Sequence, residues 1–414
     1  MRRRRVAITG IGAITPIGHG AGGLWAGVER NRSAVRCIDR FDASPFPSRM
    51  AAQVDDFDPA DHLDVRRARR LDRFSAMAVA SARMAVEDAA LPRANGASAR
   101  TGIWIGSALG GTAFGEEQHT AYVARGVRGV APTLALSVFG GAGASNVAID
   151  LGITGPAVGN ANSCASGAVA IGEAFRAIRD GTVDAAIAGG SEAPLAPLTF
   201  GAFAMIRVLS TRNDDPGSAS RPFDVGRDGF VMGEGAAMLV LEDLDAALRR
   251  GATVLAALRG FGASNDAYHM TAPRPDGRDA GRAVIAALAD AGLAPEAIDY
   301  VSAHASSTPL NEVAEGNALR LALGDRGASV PVSGTKGLHG HALGATGAIE
   351  AAITVLGLAR GVLPGTCNLR DLDPAIGLNV LREARAARDA RNALSTSFGF
   401  GGMNAALVIG RADA

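Results

Sequence analysis

Apolar positions along this chain fall into two recurring patterns: short continuous runs, and longer stripes spaced three and four residues apart. "RRVAITGIGAI" near the start and "TGIWIGSAL" at residues 101–109 are runs of the first kind and predict buried strands. "LDRFSAMAVASARMAVEDAAL" is of the second kind. Phe74, Met77, Ala78, Met84 and Ala85 share one helical stripe, with the small Ser81 between them, which predicts an amphipathic helix. "GPAVGNANS" predicts a strand, and "SGAVAIGEAFRAIRDG" a helix ending at Gly181 with Ala168, Ile171, Phe175 and Ile178 on its apolar face. "DAAIAGGSE" predicts another strand. "GAAMLVLEDLDAALRRGA" predicts a strand and then a helix closed by Gly251. After residue 251 the rhythm restarts with "VLAALRGFGAS", "IDYVSAHASS", "VPVSGTKGL" and "ALSTSFGFGGMNAALVIG". Strands alternating with helices predict an α/β fold with largely parallel sheets buried on both faces. Two half-chains of similar rhythm, 1–250 and 251–414, with no Pro/Ser-rich linker between them, predict a duplicated core.

Composition sharpens this picture. The chain has 414 residues, 48% of them hydrophobic, enough for a sizeable core. Its 54 glycines have no collagen-like period and form no linker run, so they predict tight turns and close backbone approach. Lys+Arg and Asp+Glu balance at 41 each, so bulk charge points to neither a nucleic-acid binder nor an acidic tail. Gly10-x-Gly12 follows a strand, but Thr15 stands where a dinucleotide fingerprint needs a third Gly, so a structural turn is expected there. Cys37, Cys164 and Cys367 are far apart, with no CxxC and no metal-ligand spacing, and are expected as free thiols of a reducing cytosol. The apolar part of "MRRRRVAITGIG" is short and broken by Gly10 and Gly12, unlike a signal peptide, and no later stretch suits a membrane span. A cytoplasmic protein is therefore expected.

Candidate chemistry begins at Cys164, in "AVGNANSCASGAVAIGEAF". Its position at a helix N-terminus favours the thiolate, and Ala165 and Gly167 leave room for a carbonyl to approach. A small buried filler is the alternative, and both readings stay open on this stretch alone. His304 follows an apolar strand in "YVSAHASSTPLNEVAE", and His341 lies in the Gly-rich "TKGLHGHALGATG". All three occupy the strand-to-loop positions where α/β sheets build sites. "STSFGFGGMNAALVIG" places a Gly-rich turn between two strands, able to aim N–H groups at an oxyanion, or else a plain hairpin. Lys336 is the single lysine among the 41 basic residues, and marks a place where a compact ammonium is wanted. Cys37 and Cys367 read as structural. His19, His62, His119, His269 and His339 have no comparable context, His339 being a neighbour of His341 rather than a partner.

Taken together, "RRVAITGIGAITPIG", "SCASG", "RPFDVGRDGFVMGEGA", "DAYHMTAP", "AHASSTPLNEVAE", "GTKGLHGHALGATGAIEA" and "FGFGGMNAALV" resemble the β-ketoacyl-acyl-carrier-protein synthases, nearest the type II elongating enzymes. The match runs nearly end to end in the family's order. It implies a thiolase-like αβαβα core of two halves, 1–250 with the nucleophile and 251–414 with two histidines. It implies decarboxylative Claisen condensation without cofactor or metal, on substrates carried by acyl-carrier protein. By resemblance Cys164 is the acyl-accepting nucleophile, and His304 and His341 promote malonyl decarboxylation and stabilise the enolate. Lys336 and Glu315 match supporting charged residues that orient the histidines. Phe400 matches the gate that also supplies an oxyanion-hole amide. Thr271, Ser306 and Thr308 fall where the phosphopantetheine arm is bound, with Met403 beside them, and Leu109 where the acyl pocket is bounded. Arg66, Arg67, Arg69, Arg70 and Arg207 match a basic docking surface for an acidic carrier.

The chain departs from the family pattern at Ala305-Ser306 (commonly Gly-Thr), Met403 (Thr), Asn162-Ser163 (Thr-Ala) and Gly334 (Ser). No catalytic group is lost, but a polyketide or polyene synthase subunit stands beside fatty-acid elongation as an option. A dimer is implied, either homomeric or with a chain-length-factor-like relative. A non-catalytic partner of that kind is the competing reading, although such chains typically lack the nucleophile. A degradative thiolase would need a second reactive Cys near "SFGFGGMNA", which has none.

Overall fold

The computed structural model describes residues 3–92 and 98–413. Eleven strands matter for the site: β1 (Val6–Thr15), β2 (Thr101–Gly106), β3 (Ala157–Asn160), β4 (Ala185–Glu192), β5 (Gly235–Asp243), β6 (Ala256–Asn265), β7 (Tyr300–Ser302), β8 (Pro331–Ser333), β9 (Asn379–Val380), β10 (Asn392–Gly399) and β11 (Met403–Arg411). They form one ladder in the order β9-β8-β7-β10-β11-β6-β1-β5-β4-β2-β3, with the short strand Gly18–His19 pairing to β1. The segment order β3-β2-β4-β5-β1 recurs as β8-β7-β10-β11-β6, so one topology is used twice and joined through β1 and β6.

The helices repeat with the strands: α1 (Arg73–Asp88), α2 (Thr112–Arg125) and α3 (Ser166–Arg179) in the first half, α4 (Arg278–Ala291), α5 (Asn311–Leu323) and α6 (Thr346–Arg360) in the second. α3 and α6 pack on each other, and each touches strands of both halves, so they form the middle layer. α1 and α4 cover the outer faces, giving the layered αβαβα arrangement. The predicted face of α3 holds, with Ala168, Ile171, Phe175 and Ile178 all buried, whereas α1 is buried nearly all round from Phe74 to Ala82 and its Met84 is half-buried. The stretch Leu343–Arg360 is apolar and long enough to cross a membrane, but 89% of it is buried as this core helix.

Two expectations fail. The sheet is mixed rather than largely parallel. β2 pairs in parallel with β3 and β4, and β7 with β8 and β10, whereas β1–β5, β1–β6, β4–β5, β10–β11 and β6–β11 are antiparallel. β10 and β11 are joined only by the turn Phe400–Gly402, far too short for a parallel crossover. Nor do Gly10 and Gly12 make a turn. Both lie inside β1, where α1 crosses so closely that a Cβ on Gly12 would collide with the Ser81 carbonyl and one on Gly10 with that of Ala85.

Candidate active site

Cys164 sits in a single 3-10 turn, Ser163–Ala165, between β3 and α3. Ser163 before it adopts φ +52°, a left-handed conformation that non-glycine residues rarely take and that the surrounding packing must hold. The end of β10 presses against this turn: a Cβ on Gly399 would lie 3.0 Å from the Cys164 amide nitrogen. The turn after β10 therefore brings Phe400 beside the nucleophile, as the Gly-rich "FGFGG" allows. Phe400 is half-buried and stacks on Phe203, ring centroids 6.3 Å apart.

Cys164, His304 and His341 line one cavity of about 360 Å³. The two imidazoles meet nearly at right angles with centroids 5.3 Å apart. Burial holds both well below the ordinary histidine pKa, and the Lys336 charge adds to this, so both rings are neutral. His341 Nδ1 is 2.9 Å from the Thr346 hydroxyl, and His304 Nδ1 is 3.5 Å from the Lys336 ammonium. A cation at that edge requires Nδ1 of His304 to be unprotonated, which leaves Nε2 as the N–H donor.

Behind the histidines lies a buried charged layer. The Lys336 ammonium donates to the His304 carbonyl and pairs with Glu350 at 2.7 Å, both side chains essentially without solvent exposure. Glu315 accepts the backbone N–H groups of His304 and Ala305, each at 2.8 Å, together with the Thr396 hydroxyl. Glu315 and Lys336 thus both fix the His304 backbone, and Lys336 also addresses its ring. Neither carboxylate carries a sequence signal as specific as the cysteine's. Glu350 and Thr396 are supports that sequence reasoning missed.

The cavity also gathers Leu109, Thr271, Ser306, Thr308, Arg207 and Phe400. Ser306 and Thr308 hydroxyls are 3.0 Å apart at its entrance. Met403 is a correction: it does not line the cavity but starts β11, paired with Gly399 and Asn265. His269 is another, because it lines the entrance, and its Nδ1 accepts the N–H groups of Thr271 and Ala272 at 3.1 Å. The signal was present in "DAYHMTAP", where His269 precedes Thr271 by two residues. Arg66, Arg69 and Arg70 are exposed, but Arg67 is half-buried and paired with Asp150 at 2.8 Å, so it is already engaged. All three cysteines are free thiols, Cys37 exposed and Cys367 buried. Burial works against the thiolate expected at Cys164. Burial pushes its thiol above the ordinary value, and this outweighs the hydrogen bonds from Ser163 and the Phe400 backbone and the charge of Lys336.

One buried cysteine and two neutral imidazoles in a largely apolar cavity suit acyl transfer coupled to stabilisation of an enolate. Residues 3–247 match the N-terminal domain of β-ketoacyl synthases, and residues 255–370 match the C-terminal domain. This chain belongs to the β-ketoacyl synthase family and is an acyl-transferring condensing enzyme. Among its relatives is 3-oxoacyl-[acyl-carrier-protein] synthase 2 of Synechocystis sp., 43% identical over 99% of this chain and 98% of the relative. Its counterpart in Coxiella burnetii is 42% identical over 99% of both chains. Among solved structures, a type II polyketide ketosynthase, bound to the hexaketide and in complex with its acyl-carrier protein, superposes with TM-score 0.91 at 31% identity, covering 99% of this chain and 100% of that one. The ishigamide ketosynthase/chain length factor matches with TM-score 0.91 at 35% identity over 99% of both chains.

Proposed function

We propose that this enzyme condenses an acyl group held on Cys164 with a malonyl group held on acyl-carrier protein. The observation that carries the reading is the single cavity shared by Cys164, His304 and His341. Cys164 Sγ attacks the acyl thioester carbonyl, and the carrier's thiol leaves with the proton. The malonyl thioester then loses CO2, and the electrons of the broken C–C bond form an enolate whose oxygen accepts the Nε2–H donors of His304 and His341. The enolate carbon attacks the acyl carbonyl on Cys164, and the cysteine sulfur is expelled. The N–H groups of Cys164 and Phe400 receive the oxyanion of each tetrahedral intermediate. Lys336 and Glu315 hold His304. Thr271, Ser306 and Thr308 bind the phosphopantetheine arm, and Leu109 bounds the acyl chain. No step calls for a metal or organic cofactor, and the work takes place in the cytoplasm.

On this reading an acidic carrier docks on Arg66, Arg69, Arg70 and Arg207. The nucleophile and the histidine pair come from the two halves, 1–250 and 251–414. A second ketosynthase-fold chain covers the edge strand β3 and the neighbouring helix α2. Support comes from α2, which buries none of its residues within this chain, and from exposed Val127, Phe139 and Val158 near that edge. Incubation with acyl- and malonyl-loaded carrier protein tests the function. β-Ketoacyl thioester and CO2 are expected; neither product with any acyl chain, from short to long, refutes the reading.

A further inference from the structure

The fully buried carboxylate at the end of β4, Glu192, has no part in the steps above. Its Oε1 accepts the Ser107 hydroxyl at 2.9 Å and the Leu109 N–H at 3.1 Å. Its Oε2 accepts the N–H groups of Ala108 at 2.6 Å and of Gly344 at 3.0 Å. Four donors converge on one side chain, and no ion pair holds it among the described residues. Segment 107–109 comes from the first half of the chain, and Leu343–Gly344 from the second. Leu109 and Leu343 both line the cavity that holds Cys164.

We propose that Glu192 is a positioning residue that clamps these two walls together and thereby sets which acyl chains Cys164 accepts. The proposal rests on the ketosynthase reading and deepens it. Two further features fit a clamp. A Cβ on Gly344 would lie 2.7 Å from Glu192 Oε2, so only glycine lets the second wall approach. Leu343 holds φ +41°, a conformation that persists only where neighbouring contacts impose it. The Leu343–Ala345 turn leads directly into α6, whose Thr346 hydroxyl meets His341, so the clamp also reaches the catalytic ring.

The clamp bears on the nucleophile as well. Burial raises the Glu192 carboxyl to about 7 against the pull of its four donors, and its negative charge opposes ionisation of Cys164. Glutamine has nearly the same shape but one acceptor oxygen. Because each carboxylate oxygen accepts at least one backbone N–H, either amide orientation sets an NH2 group against a fixed donor and releases part of a wall.

The test measures self-acylation of Cys164 from carrier-bound chains of graded length by intact mass, together with iodoacetamide alkylation across pH. Glu192→Gln should flatten the discrimination between preferred and rejected chains by roughly tenfold or more. It should also shift the alkylation profile to lower pH. Ser107→Ala, which removes one of the four donors along with the acceptor of the Gly110 N–H, should move discrimination in the same direction by less, and stands in if the first variant does not fold. Wild-type discrimination in a folded variant overturns the proposal, as does an unshifted alkylation profile in Glu192→Gln. A wild-type enzyme that takes up no acyl group from any carrier contradicts the ketosynthase reading instead, while alkylation, which needs no carrier, still reports on Glu192.

Discussion

The Lys336 ammonium lies 3.5 Å from Nδ1 of His304 and donates to the carbonyl oxygen of the same residue. One cation thus sets both the ring tautomer and the backbone position of this histidine, and is itself neutralised by Glu350 at 2.7 Å. Lys336→Met leaves a buried carboxylate without its partner, which typically costs about 3–5 kcal/mol. We expect a matching fall in urea midpoint. Malonyl decarboxylation should drop more than Cys164 acylation, because acylation does not use the His304 ring. Equal loss of both steps would argue that Lys336 serves only the fold.

His304→Ala and His341→Ala each remove one donor from the enolate site. A preorganised donor of this kind is typically worth about 10²–10³ in kcat. Carbon dioxide release should fall by that order, while acyl transfer to Cys164, followed by mass, continues. A variant that loses acyl transfer equally would place that histidine in the first step as well.

Ala305 and Gly334 are one packing solution. A Cβ on Gly334 would sit 2.5 Å from the Ala305 Cβ and 2.9 Å from the Pro222 Cβ, against the loop that carries His304. Gly334→Ser should therefore destabilise the protein by about 1–3 kcal/mol, the usual range for overpacking. Adding Ala305→Gly removes the nearest clash and should restore part of that loss, since residues in contact do not add. Strict additivity in thermal unfolding would contradict this.

Acid stability follows from groups whose shifts oppose each other. His304, His339 and His341 titrate lower folded than unfolded, so their contribution is lost as pH falls below the unfolded value near ~6.5. Glu192, Glu312 and Glu350 are raised to about 7, so their contribution is present at low pH and lost as pH rises from ~4.3 towards 7. Between ~4.5 and 6.5 the two sets offset each other, and the urea midpoint should change little. Below ~4 the carboxylates held down in the fold, Asp184 at about 2 with Glu234 and Asp224 also lowered, lose their contribution together with the histidines, and stability should fall steeply. A steep, steady slope across the upper window would contradict this balance.

Cys164, His304 and His341 were legible because each follows an apolar run at a strand-to-loop position, with glycines around Cys164 and His341, a pattern that survives in one dimension. Their protonation was not. The helix N-terminus argued for a thiolate, but dehydration by walls from distant segments pushes the thiol the other way. Glu192 ends "AGGSE" and Glu350 lies within an apolar helix; neither has a partner nearby in sequence, so only the fold reveals what they hold. The alternation of strands and helices gave the element order well. Strand direction was misread because buried strands look alike in parallel and antiparallel sheets, although the short "FGFGG" link between two strands already required one hairpin. Gly10 and Gly12 looked like a turn because the helix that crosses them lies some 70 residues later.

The most direct test is to incubate the protein with an acyl-loaded carrier, locate the acyl group by peptide mass spectrometry, and then add malonyl-loaded carrier. The account predicts an acyl thioester on Cys164, none on Cys37 or Cys367, discharge to a β-ketoacyl product, and no product from Cys164→Ala. Acyl label on another residue, or product from Cys164→Ala, would contradict it.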